Sequence, residues 1–510
     1  MRKEFRSILV VFLFLFSAVT YFFPLALWSL VFFGPLLAIG LNDYFQTKHT
    51  VRRNFPLFGH FRYIFESIRP EINQYFVESN TDGMPFSREL RSVVYQRAKG
   101  EVDTLPFGTQ KDVYQDGYEW VNHSLHPISV PSSTLRVTIG GPDCLQPYSA
   151  SLFNISAMSF GALSQNAILA LSSGAKQGNF YHNTGEGSVS PHHLEGGGDL
   201  VYQIGTGYFG CRTAEGNFSP EKFKKVAANN QIKMIEIKLS QGAKPGHGGI
   251  LPAKKLSPEI AAIRDVPMGK DVLSPPAHSA FKTAQELCYF IQELRVLSKG
   301  KPIGFKLCVG VQSEFIEICK AMIDTQITPD FITVDGAEGG TGAAPPEFSN
   351  SVGTPLRDGL IFVRNSLVGF GLKDRIKIIA SGKVITAFDV IRNLALGADL
   401  CNSARGMMLA LGCIQALRCN TNKCPVGIAT QDPELMHGLN VPDKAKRVAH
   451  FHHETLQAVA EMMGAMGIDS TMKIKPQLIQ KRTANGIQQY SDIYRFAVKN
   501  EYLETSQKVA

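Results

Sequence analysis

Between residues 154 and 402 the chain contains a series of short apolar runs that end in Gly, Ser or Thr and are separated by loops or helix-like stretches. Near-continuous apolar strands that alternate with helices are typical of a parallel sheet covered by helices. Eight candidate strands over about 250 residues favour a (β/α)8 TIM barrel of the α/β class over an open sheet. The candidate strands are residues 154–159, 179–182, 201–204, 234–239, 303–309, 331–334, 376–380 and 399–402.

Polar, glycine-rich segments follow six of these strands, and in such barrels the loops after the strands build the active site. They are residues 157–164, 183–187, 241–246, 339–342, 381–383 and 403–406. The loops after the seventh and eighth strands are the usual phosphate site, where backbone N–H groups and a helix N-terminus hold the anion. Residues 205–210 match the spacing of a dinucleotide-binding turn, but the segment after them does not begin a helix, so a loop is predicted there.

The N-terminal region contains 36 consecutive uncharged residues, 7–42, which are rich in Phe, Leu and Val. Pro24 and the aromatic residues beside it favour a turn, so the first interpretation is a two-helix transmembrane hairpin. One long tilted helix and a cleaved signal peptide are the alternatives. Residues 1–53 hold six basic and two acidic side chains, which is half of the net charge of +8. The positive-inside tendency predicts an inner-membrane protein whose barrel lies on the cytoplasmic side.

We expect four segments along the chain. They are a membrane anchor (1–53), a linker or cap region (54–145), the barrel (146–440) and a helical tail (441–510). Thr283 and Glu286 form a capping-box pattern ahead of a helix at 287–297, and Thr386 precedes another helical stretch. Outside the anchor the net charge is only +4, and no basic run with interleaved aromatic residues occurs, which argues against a nucleic-acid partner.

Three of the nine cysteines, Cys413, Cys419 and Cys424, form a C-x5-C-x4-C pattern directly after the predicted phosphate loop. Thiolates bind iron–sulfur clusters or zinc, and this spacing is wider than the C-x2–4-C pairs of zinc sites. Pro425 follows the last cysteine, as in bacterial ferredoxins, and three ligands suit a cluster of three irons. The pattern favours a cluster, with ordinary buried thiols as the alternative.

Taken together, these motifs resemble the flavin-binding synthase domain of glutamate synthases, in a membrane-anchored, stand-alone form. The matching stretches are residues 155–164, 183–187, 241–246, 255–260, 339–343 and 413–431. The resemblance implies a barrel that binds FMN, and a [3Fe-4S] cluster held by Cys413, Cys419 and Cys424. The residues that it implies for FMN binding are Met158, Ser159, Gly161, Asn183, Gln203, Lys306, Gly340, Thr341, Ser381, Gly382, Ala404 and Arg405.

The resemblance also implies a reaction, that of an oxidoreductase acting on CH–NH2 donors. In the family, single electrons pass from the cluster to the flavin, which reduces 2-iminoglutarate formed from 2-oxoglutarate and ammonia. Lys244 and Arg264 match positions that contact the keto acid, and Arg264 would bind a carboxylate bidentately. Glu186 is the candidate for a proton or ammonia role, and Lys306 would stabilise negative charge at the pyrimidine end of the reduced flavin. Structural ion pairs are the alternative for Lys244 and Arg264.

The chain departs from the family pattern at three positions. His247 and Ile250 stand where members commonly have Glu and Gln, and Tyr208 stands where an Arg is usual. Ile250 favours one alternative function, an FMN oxidoreductase that acts on another amine or keto acid. A membrane-associated flavin and iron–sulfur electron-transfer subunit and an inactive scaffold are the others.

The sequence contains no convincing nicotinamide-binding fold and no amidotransferase segment ahead of the anchor. We therefore expect an electron-donor protein, either ferredoxin-like or a reductase subunit. Ammonia is expected to be free or to come from a separate ammonia-supplying subunit.

Overall fold

The computed structural model describes residues 2–503, which fall into two compact units divided between Arg88 and Glu89. The first unit is helical, and the second holds every β-strand of the described residues. The sequence predicts four segments where the structure has two compact units, and the boundaries of these four segments stay a prediction.

The first unit begins with two apolar helices joined by a turn. The first apolar helix is Arg2–Phe22, the second apolar helix is Leu30–Phe45, and a 3-10 helix at Pro24–Ser29 connects them. The helices contact each other, with the rings of Phe12 and Phe33 at 5.6 Å. Two segments, Lys3–Phe22 and Pro24–Phe45, are long and apolar enough to cross a membrane, and the second includes the 3-10 helix as well as the second apolar helix. The predicted hairpin with a turn at Pro24 is therefore present in the fold.

The first unit continues with further helical segments. A helical turn at Thr50–Asn54 leads into the helix Gly59–Ile72, called here the aromatic helix. A π-helical turn, Asn73–Val77, extends the aromatic helix.

Eight parallel strands in the second unit close into a barrel. In chain order they are β1 (Phe153–Ile155), β2 (Tyr181–Asn183), β3 (Asp199–Ile204), β4 (Ile232–Lys238), β5 (Ile303–Leu307), β6 (Phe331–Asp335), β7 (Lys377–Ser381) and β8 (Leu400–Ser403). Each strand pairs with the strands before and after it in the sequence, and β8 pairs with β1. Every predicted apolar run overlaps one of these strands, which confirms the (β/α)8 TIM barrel.

Helices cover the outside of the barrel, because the outer face of each strand is apolar and must be buried. They are Gln165–Gly178, Pro191–Glu195, Pro220–Ala227, Ala284–Leu297, Gln312–Thr325, Leu356–Gly369, Ala387–Ala395 and Arg405–Ala410. The helix Pro258–Arg264 instead packs on the loops that follow the first two strands. The predicted capping box of Thr283 and Glu286 is present, and Thr386 caps the next predicted helix together with Asp389. Residues 205–210 form turns, as predicted.

The segments before and after the barrel add helices and short strands. Arg88–Lys99 lies before the barrel, and Val441–Ala465 packs on the helix Gln165–Gly178. Gly174 permits that close approach, because a Cβ there would lie 2.8 Å from the carbonyl oxygen of Ala445. The remaining short helices are Ser132–Thr134, Ala253–Lys255, Pro346–Ser351, Pro433–His437, Thr471–Lys473, Pro476–Leu478 and Tyr490–Ile493.

The tail after the barrel is only partly helical. Its strand Ile479–Thr483 pairs with Gly486–Gln489 and with Glu119–Val121, far earlier in the chain. Pairing with a distant segment leaves no local periodic pattern, so the sequence does not reveal it. The other antiparallel pairs are Arg136–Ile139 with Tyr148–Ser151, and Ile250–Leu251 with Val272–Leu273. The last seven residues of the predicted tail lie outside the described residues.

Candidate active site

A buried carboxylate organises the interior of the barrel. Glu236 on β4 accepts hydrogen bonds from Asn183 Nδ2 at 2.8 Å, Gln203 Nε2 at 2.6 Å and Thr333 Oγ1 at 2.6 Å. Asn183 and Gln203, both predicted to contact FMN, are therefore neighbours with fixed side chains. Glu236 is absent from the sequence-based prediction. The signal that reveals it is a pair of charges two residues apart, Glu236 and Lys238, on a strand that is otherwise apolar except for Lys233, which indicates an inward polar face.

Lys238, at the end of β4, forms a buried ion pair with Glu186 in the loop after β2, with Nζ and Oε1 2.8 Å apart. Lys306 on β5 lies in register with Lys238, and its Nζ is 3.9 Å from a carboxylate oxygen of Asp335. Burial lowers the pKa of Lys238, Glu186 partly offsets this effect, and Lys306 adds to the lowering. Lys238 is a second charged residue of the site that the sequence-based prediction lacks.

Glu186, the predicted proton or ammonia residue, is surrounded by cations. Burial acts to raise the pKa of its carboxyl group, but the charges of Lys238, Arg264 and Lys244 outweigh burial. The net result is a pKa below the usual value of a glutamate. The structure thus brings Lys244, Arg264 and Glu186, all predicted as catalytic, into one cluster with Lys238. This group is called here the cation cluster.

Lys244 and Arg264 are both buried within the cation cluster. Lys244 Nζ donates to the carbonyl of Ala343 at 2.9 Å, and burial together with the Lys238 charge lowers the pKa of Lys244 to about 8. Burial lowers the pKa of Arg264 to about 10, while its Nη2 donates to the carbonyl of Phe160 at 3.1 Å. Within residues 2–503 the Nε of Arg264 has no hydrogen-bond partner. A buried donor without a partner suits a guanidinium that receives an anionic ligand.

A cleft opens beside the cation cluster. Its walls include Glu186 and Lys238, together with His247, whose Nδ1 lies 2.9 Å from the carbonyl oxygen of Gly248. The remaining lining residues are Thr206, Leu239, Ser240, Gln241, Gly246, Gly248, Gly249, Pro275 and Pro276.

The three departures from the family pattern take different places around this cleft. His247 is in its wall, whereas Ile250 lies on the short strand Ile250–Leu251, outside the set of lining residues. Tyr208 is fully buried, and its hydroxyl lies 3.0 Å from His278 Nδ1 and accepts from the N–H of Ala280. Among the three departures, therefore, only His247 faces the cleft.

The end of β7 carries two residues predicted to hold a phosphate. Ser381 Oγ donates to Asp335 Oδ1 at 2.9 Å and lies 3.3 Å from Ser156 Oγ. Gly382 follows with φ of +153°, a conformation that residues with a Cβ rarely adopt. The backbone at this strand end is therefore free of side-chain bulk where a phosphate would approach it.

The loops after β6 and β8 contribute the other predicted phosphate and ring contacts. Arg405 donates through Nη2 to the carbonyl of Glu338 at 2.5 Å, and burial lowers the pKa of its guanidinium. Gly340 lies against this side chain, since an added Cβ would be 2.7 Å from Arg405 Cδ. Thr341 is exposed on the same loop, and Ala404 directly precedes the short helix Arg405–Ala410. The guanidinium of Arg405 and the uncrowded backbone at Gly382 fit the phosphate of FMN, and the polar interior of the barrel fits its ring.

The loop after β1 holds Met158, Ser159 and Gly161, which are predicted to line the flavin. Met158 N–H donates to the carbonyl of Asn183 at 3.1 Å. A Cβ on Gly185 would lie 3.0 Å from the Ser159 nitrogen, so the loops after β1 and β2 are in direct contact. Gly161 has φ of +99°, which favours glycine at this turn. The three predicted residues thus lie beside the predicted ring contact Asn183.

Side chains from three other segments hold the carbonyl groups of residues 160–163, called here the carbonyl row. Arg264 donates to the first carbonyl, Lys255 Nζ to the third at 3.1 Å, and Gln431 Nε2 to the second and fourth at 3.2 and 2.8 Å. Every carbonyl of this row therefore has a side-chain donor. Lys255 and Gln431 are positioning residues that the sequence-based prediction does not single out.

The cysteine loop is joined to the carbonyl row. Lys255 Nζ also donates to the carbonyl of Ala429 at 2.9 Å, and Ser164 Oγ donates to the carbonyl of Gly427 at 2.7 Å. The loop after β1, which is predicted to line the flavin, and the loop that carries the three cysteines are thus one connected structure.

Cys413, Cys419 and Cys424 are close enough to affect one another electrostatically. Burial raises the pKa of Cys413 to about 11, with further increases from Cys419 and Cys424, and burial also raises that of Cys419. Among residues 2–503 there is no group of three or more His, Cys, Asp or Glu side chains arranged to hold a single metal ion. A cluster of three irons offers each thiolate its own iron, so its ligands need not converge on one point.

The backbone of the cysteine loop has the conformation of an anion-binding concavity. Gln415, Leu417 and Asn422 have φ of +56°, +54° and +63°. Left-handed residues of this kind turn backbone N–H groups inward, as at many iron–sulfur sites. Because burial disfavours the thiolates of Cys413 and Cys419, iron bonded to them would supply the compensating charge. The residues present therefore fit a cluster.

The fold and site define a class of protein, a TIM-barrel oxidoreductase with its polar site at the carboxyl ends of the strands. Residues 144–469 match the family model described as the conserved region in glutamate synthase. This chain belongs to the glutamate synthase family.

Similarity to individual members of the family covers more of the chain than the family model does. The glutamate synthase large subunit-like protein YerD of Bacillus subtilis (strain 168) is 37% identical over 488 residues, which cover 88% of this chain and 93% of the relative. The archaeal glutamate synthase (NADPH) of Methanocaldococcus jannaschii is 35% identical and covers 63% of this chain, although the match spans only 60% of that relative. The predicted enzyme class is thereby confirmed at the level of the family, whose named glutamate synthases are oxidoreductases acting on CH–NH2 donors.

The large chain of glutamate synthase (NADPH) from Bacillus subtilis (strain 168) is 33% identical over 324 residues. The match covers 62% of this chain but only 20% of that large chain. The flavin-binding domain of baker's yeast flavocytochrome b2 has a TM-score of 0.44 at 12% identity, covering 87% of this chain and 90% of that domain. This likeness is too distant to inform the function.

Proposed function

We propose that the protein is an FMN-dependent and iron–sulfur-dependent oxidoreductase that reduces the imine of 2-oxoglutarate or a related keto acid to an amino acid. The observation that carries this proposal is the cation cluster, in which Lys238, Lys244 and Arg264 surround the buried Glu186 at the carboxyl end of the barrel. Three buried cations around one carboxylate leave two positive charges for an anionic ligand. A dicarboxylate keto acid has the charge that matches this surplus.

FMN would be held by the residues that resemblance to the family implies, with its phosphate near Ser381, Gly382, Ala404 and Arg405. When bound, FMN supplies the hydride for imine reduction and the cluster supplies single electrons. Lys306 would hold its positive charge at the pyrimidine end of the ring. The barrel interior contributes fixed donors, because Asn183 and Gln203 are both held by Glu236.

Substrate binding is assigned to the cation cluster. Arg264 would bind one carboxylate through its unpartnered edge, and Lys244 would bind the other as a point charge. Glu186, held by Lys238, would transfer a proton at the nitrogen of the imine or of ammonia. This role fits a carboxylate that lies in the cleft wall next to both cations.

Cys413, Cys419 and Cys424 would hold the [3Fe-4S] cluster. The hydrogen bonds of Lys255 and Gln431 connect their loop to the loop predicted to line the flavin, which supports a short path for electrons. An electron-donor protein, ferredoxin-like or a reductase subunit, would supply the cluster. A separate subunit or free ammonia would supply nitrogen.

The first unit would act as a membrane anchor, with the barrel on the cytoplasmic side of the inner membrane. The segments Lys3–Phe22 and Pro24–Phe45 have the length and composition of transmembrane segments, and basic residues flank both ends of the hairpin. By the positive-inside tendency both flanks would stay in the cytoplasm.

A second candidate function is reduction of an imine of a different keto acid. His247 lines the cleft where family members commonly have Glu, and its imidazole changes the charge and shape of that wall. This candidate keeps the same cofactors and differs only in the ligand that the cation cluster selects.

The test is anaerobic reoxidation of the reduced flavin in the purified full-length protein. We expect 2-oxoglutarate with ammonium to reoxidise the flavin and to yield glutamate, and a panel of other keto acids identifies the second candidate. Arg264→Leu should abolish reoxidation, whereas Lys225→Leu on the exposed surface should not. Protein without a flavin spectrum contradicts every redox function. Coloured protein that no keto acid reoxidises contradicts the synthase and leaves the electron-transfer subunit.

The proposed ligands of the cluster are tested by iron content and by electron paramagnetic resonance. Cys419→Ser should remove the iron and the paramagnetic signal of the oxidised cluster. Cys144→Ser, which changes a cysteine outside the cysteine loop, should retain both. Equal iron content in the two variants and the wild type would contradict the assignment of the ligands.

A further inference from the structure

The aromatic helix exposes its apolar side chains. Phe61 is 54% exposed and Phe65 is 60% exposed. Phe58, Ile68 and Ile72 are exposed as well. Their spacing of three or four residues places them on one stripe of a helix with about 3.6 residues per turn. A stripe of this kind normally faces a protein core, but here it faces outward.

The first turns of the aromatic helix contact the rest of the first unit through the opposite face. Tyr63 packs under the guanidinium of Arg52, whose Cζ lies 4.4 Å from the ring centroid, and stacks edge-on against His49 at 5.5 Å. His60 Nε2 donates to Asp43 Oδ2 at 2.8 Å. Polar and aromatic contacts thus hold the inner face, and the apolar stripe is left outside. This orientation is the reverse of that of a helix in a soluble domain.

The orientation is fixed close to the end of the second apolar helix. Asp43 is buried near the end of that helix, and it also accepts the backbone N–H of Leu57 at 3.1 Å. Gly59 permits close packing, because a Cβ there would lie 2.7 Å from the Cα of Arg52. The aromatic helix is therefore attached directly to the end of a candidate membrane span.

Charges beside the stripe indicate the chemistry of the partner. Arg62 and Arg69 are both exposed, and helical geometry places both on one flank of the apolar stripe. The exposed acidic residues Glu66 and Glu71 of the same helix lie farther round the helix from the stripe. Aromatic and aliphatic side chains bordered by arginines are the pattern of helices that lie in the interface of membranes with anionic lipids. Binding of a protein to the stripe would require neither the flanking arginines nor the apolar hairpin beside the helix, so a membrane is the favoured partner.

We propose that the aromatic helix lies flat in the membrane interface, with Phe58, Phe61, Phe65, Ile68 and Ile72 inserted among the acyl chains and Arg62 and Arg69 at anionic headgroups. This inference rests on the proposed membrane anchor. The helix then fixes how the chain leaves the bilayer, because Asp43 and His60 connect it to the end of the second apolar helix.

Fluorescence quenching in vesicles tests the insertion. The chain has two tryptophans, Trp28 in the turn of the hairpin and Trp120 in the second unit. In the full-length protein with both replaced by Phe, Phe65→Trp introduces a single reporter on the stripe. We expect its emission to shift to the blue and to be lost when brominated lipids carry bromine about 5–10 Å below the headgroups. The matched control is Ser67→Trp, on the polar side of the helix opposite the stripe, which should retain its emission.

The outcomes separate this inference from the anchor itself. Full-length protein that retains Trp28 alone reports insertion of the hairpin by its own quenching. If Trp28 is quenched and the Trp of Phe65→Trp is not, the aromatic helix does not lie in the membrane interface, although the hairpin still acts as an anchor. Absence of quenching at Trp28 contradicts the hairpin, and absence at both sites contradicts both.

The lipid charge supplies a second measurement. Arg62→Gln with Arg69→Gln should reduce the quenching of Phe65→Trp in vesicles that contain phosphatidylglycerol, and should leave it unchanged in phosphatidylcholine. Equal effects in both lipids would contradict the role of the arginines.

Discussion

The barrel site and the first unit depart from ordinary burial in opposite directions. Within the barrel, the charged side chains of Glu236, Lys238 and Arg264 are buried. Within the first unit, large apolar side chains such as Phe61 and Phe65 are exposed. Buried charge lowers stability unless each charge finds partners, whereas exposed apolar surface costs little in the folded chain and favours association. An unusually placed side chain should therefore affect stability in the barrel and association in the first unit. Substitutions in each region can measure these two effects separately.

Substitution of phenylalanines in the two regions should give the largest contrast. Phe305 on β5 is fully buried, so Phe305→Ala should cost about 3–5 kcal/mol of stability through lost burial and an added cavity. Phe65→Ala on the exposed stripe should change stability by no more than about 0.5 kcal/mol. Thermal unfolding of the full-length protein in detergent measures both. A comparable loss in the two variants would break the comparison, because it would mean that the stripe is buried.

Removal of the central carboxylate should have the next largest effect. Glu236→Ala leaves the donors of Asn183, Gln203 and Thr333 without their acceptor, and each orphaned buried group costs about 1–3 kcal/mol. Glu236→Gln retains one acceptor oxygen and should lose clearly less. The measurement is again the thermal unfolding temperature. If the alanine variant is as stable as the glutamine variant, the three hydrogen bonds do not support the site.

Removal of the nearest cation should change a proton equilibrium rather than the fold. The Lys238 charge lowers the pKa of Glu186, so Lys238→Met should raise it and move protonation of this carboxyl group to higher pH. Infrared difference spectra that follow the carboxylate band, with Glu186→Gln to identify the signal, measure the change. Lys238→Arg keeps the charge and serves as the control. An unchanged titration in the methionine variant would show that the ion pair does not set the charge of Glu186.

The smallest effect is expected in substrate binding at alkaline pH. The pKa of Lys244 is lowered to about 8, so its positive charge is lost as the pH rises through that value. The KM for the keto acid should therefore increase above about pH 8, with little change in kcat. Lys244→Arg keeps its charge at alkaline pH and should move this increase upward. A KM that depends equally on pH in both proteins would remove Lys244 from the binding site.

The architecture of the barrel could be predicted because its signal is local. Each apolar run reports one strand, and Thr283 and Thr386 report the starts of two helices. The polar strand ends also placed Ser381 and Gly382 at the expected edge. The periodic spacing of apolar residues within a short segment is the property from which secondary structure can be predicted directly.

The partners of the site residues could not be predicted, because they come from distant parts of the chain. Lys255 and Gln431 bind the carbonyl row from segments roughly 90 and 270 residues away in sequence. Glu236 and Lys238 leave a local signal, two charges two residues apart on a mostly apolar strand, but that signal does not identify the residues that they bind. Strand Ile479–Thr483 gives no signal, since its partner Glu119–Val121 lies on the other side of the barrel sequence.

The carbonyl row has a thermodynamic consequence for assembly. Of the four backbone groups, two are held by Gln431 in the loop that carries the cysteines, one by Arg264 and one by Lys255, which also binds the cysteine loop through Ala429. Whatever orders the cysteine loop must therefore lower the entropy that the loop after β1 loses when it binds its own ligand. By reciprocity, occupancy of either place tightens the other by the same factor. With the proposed cluster and the proposed FMN in these two places, iron loading and flavin retention should rise and fall together.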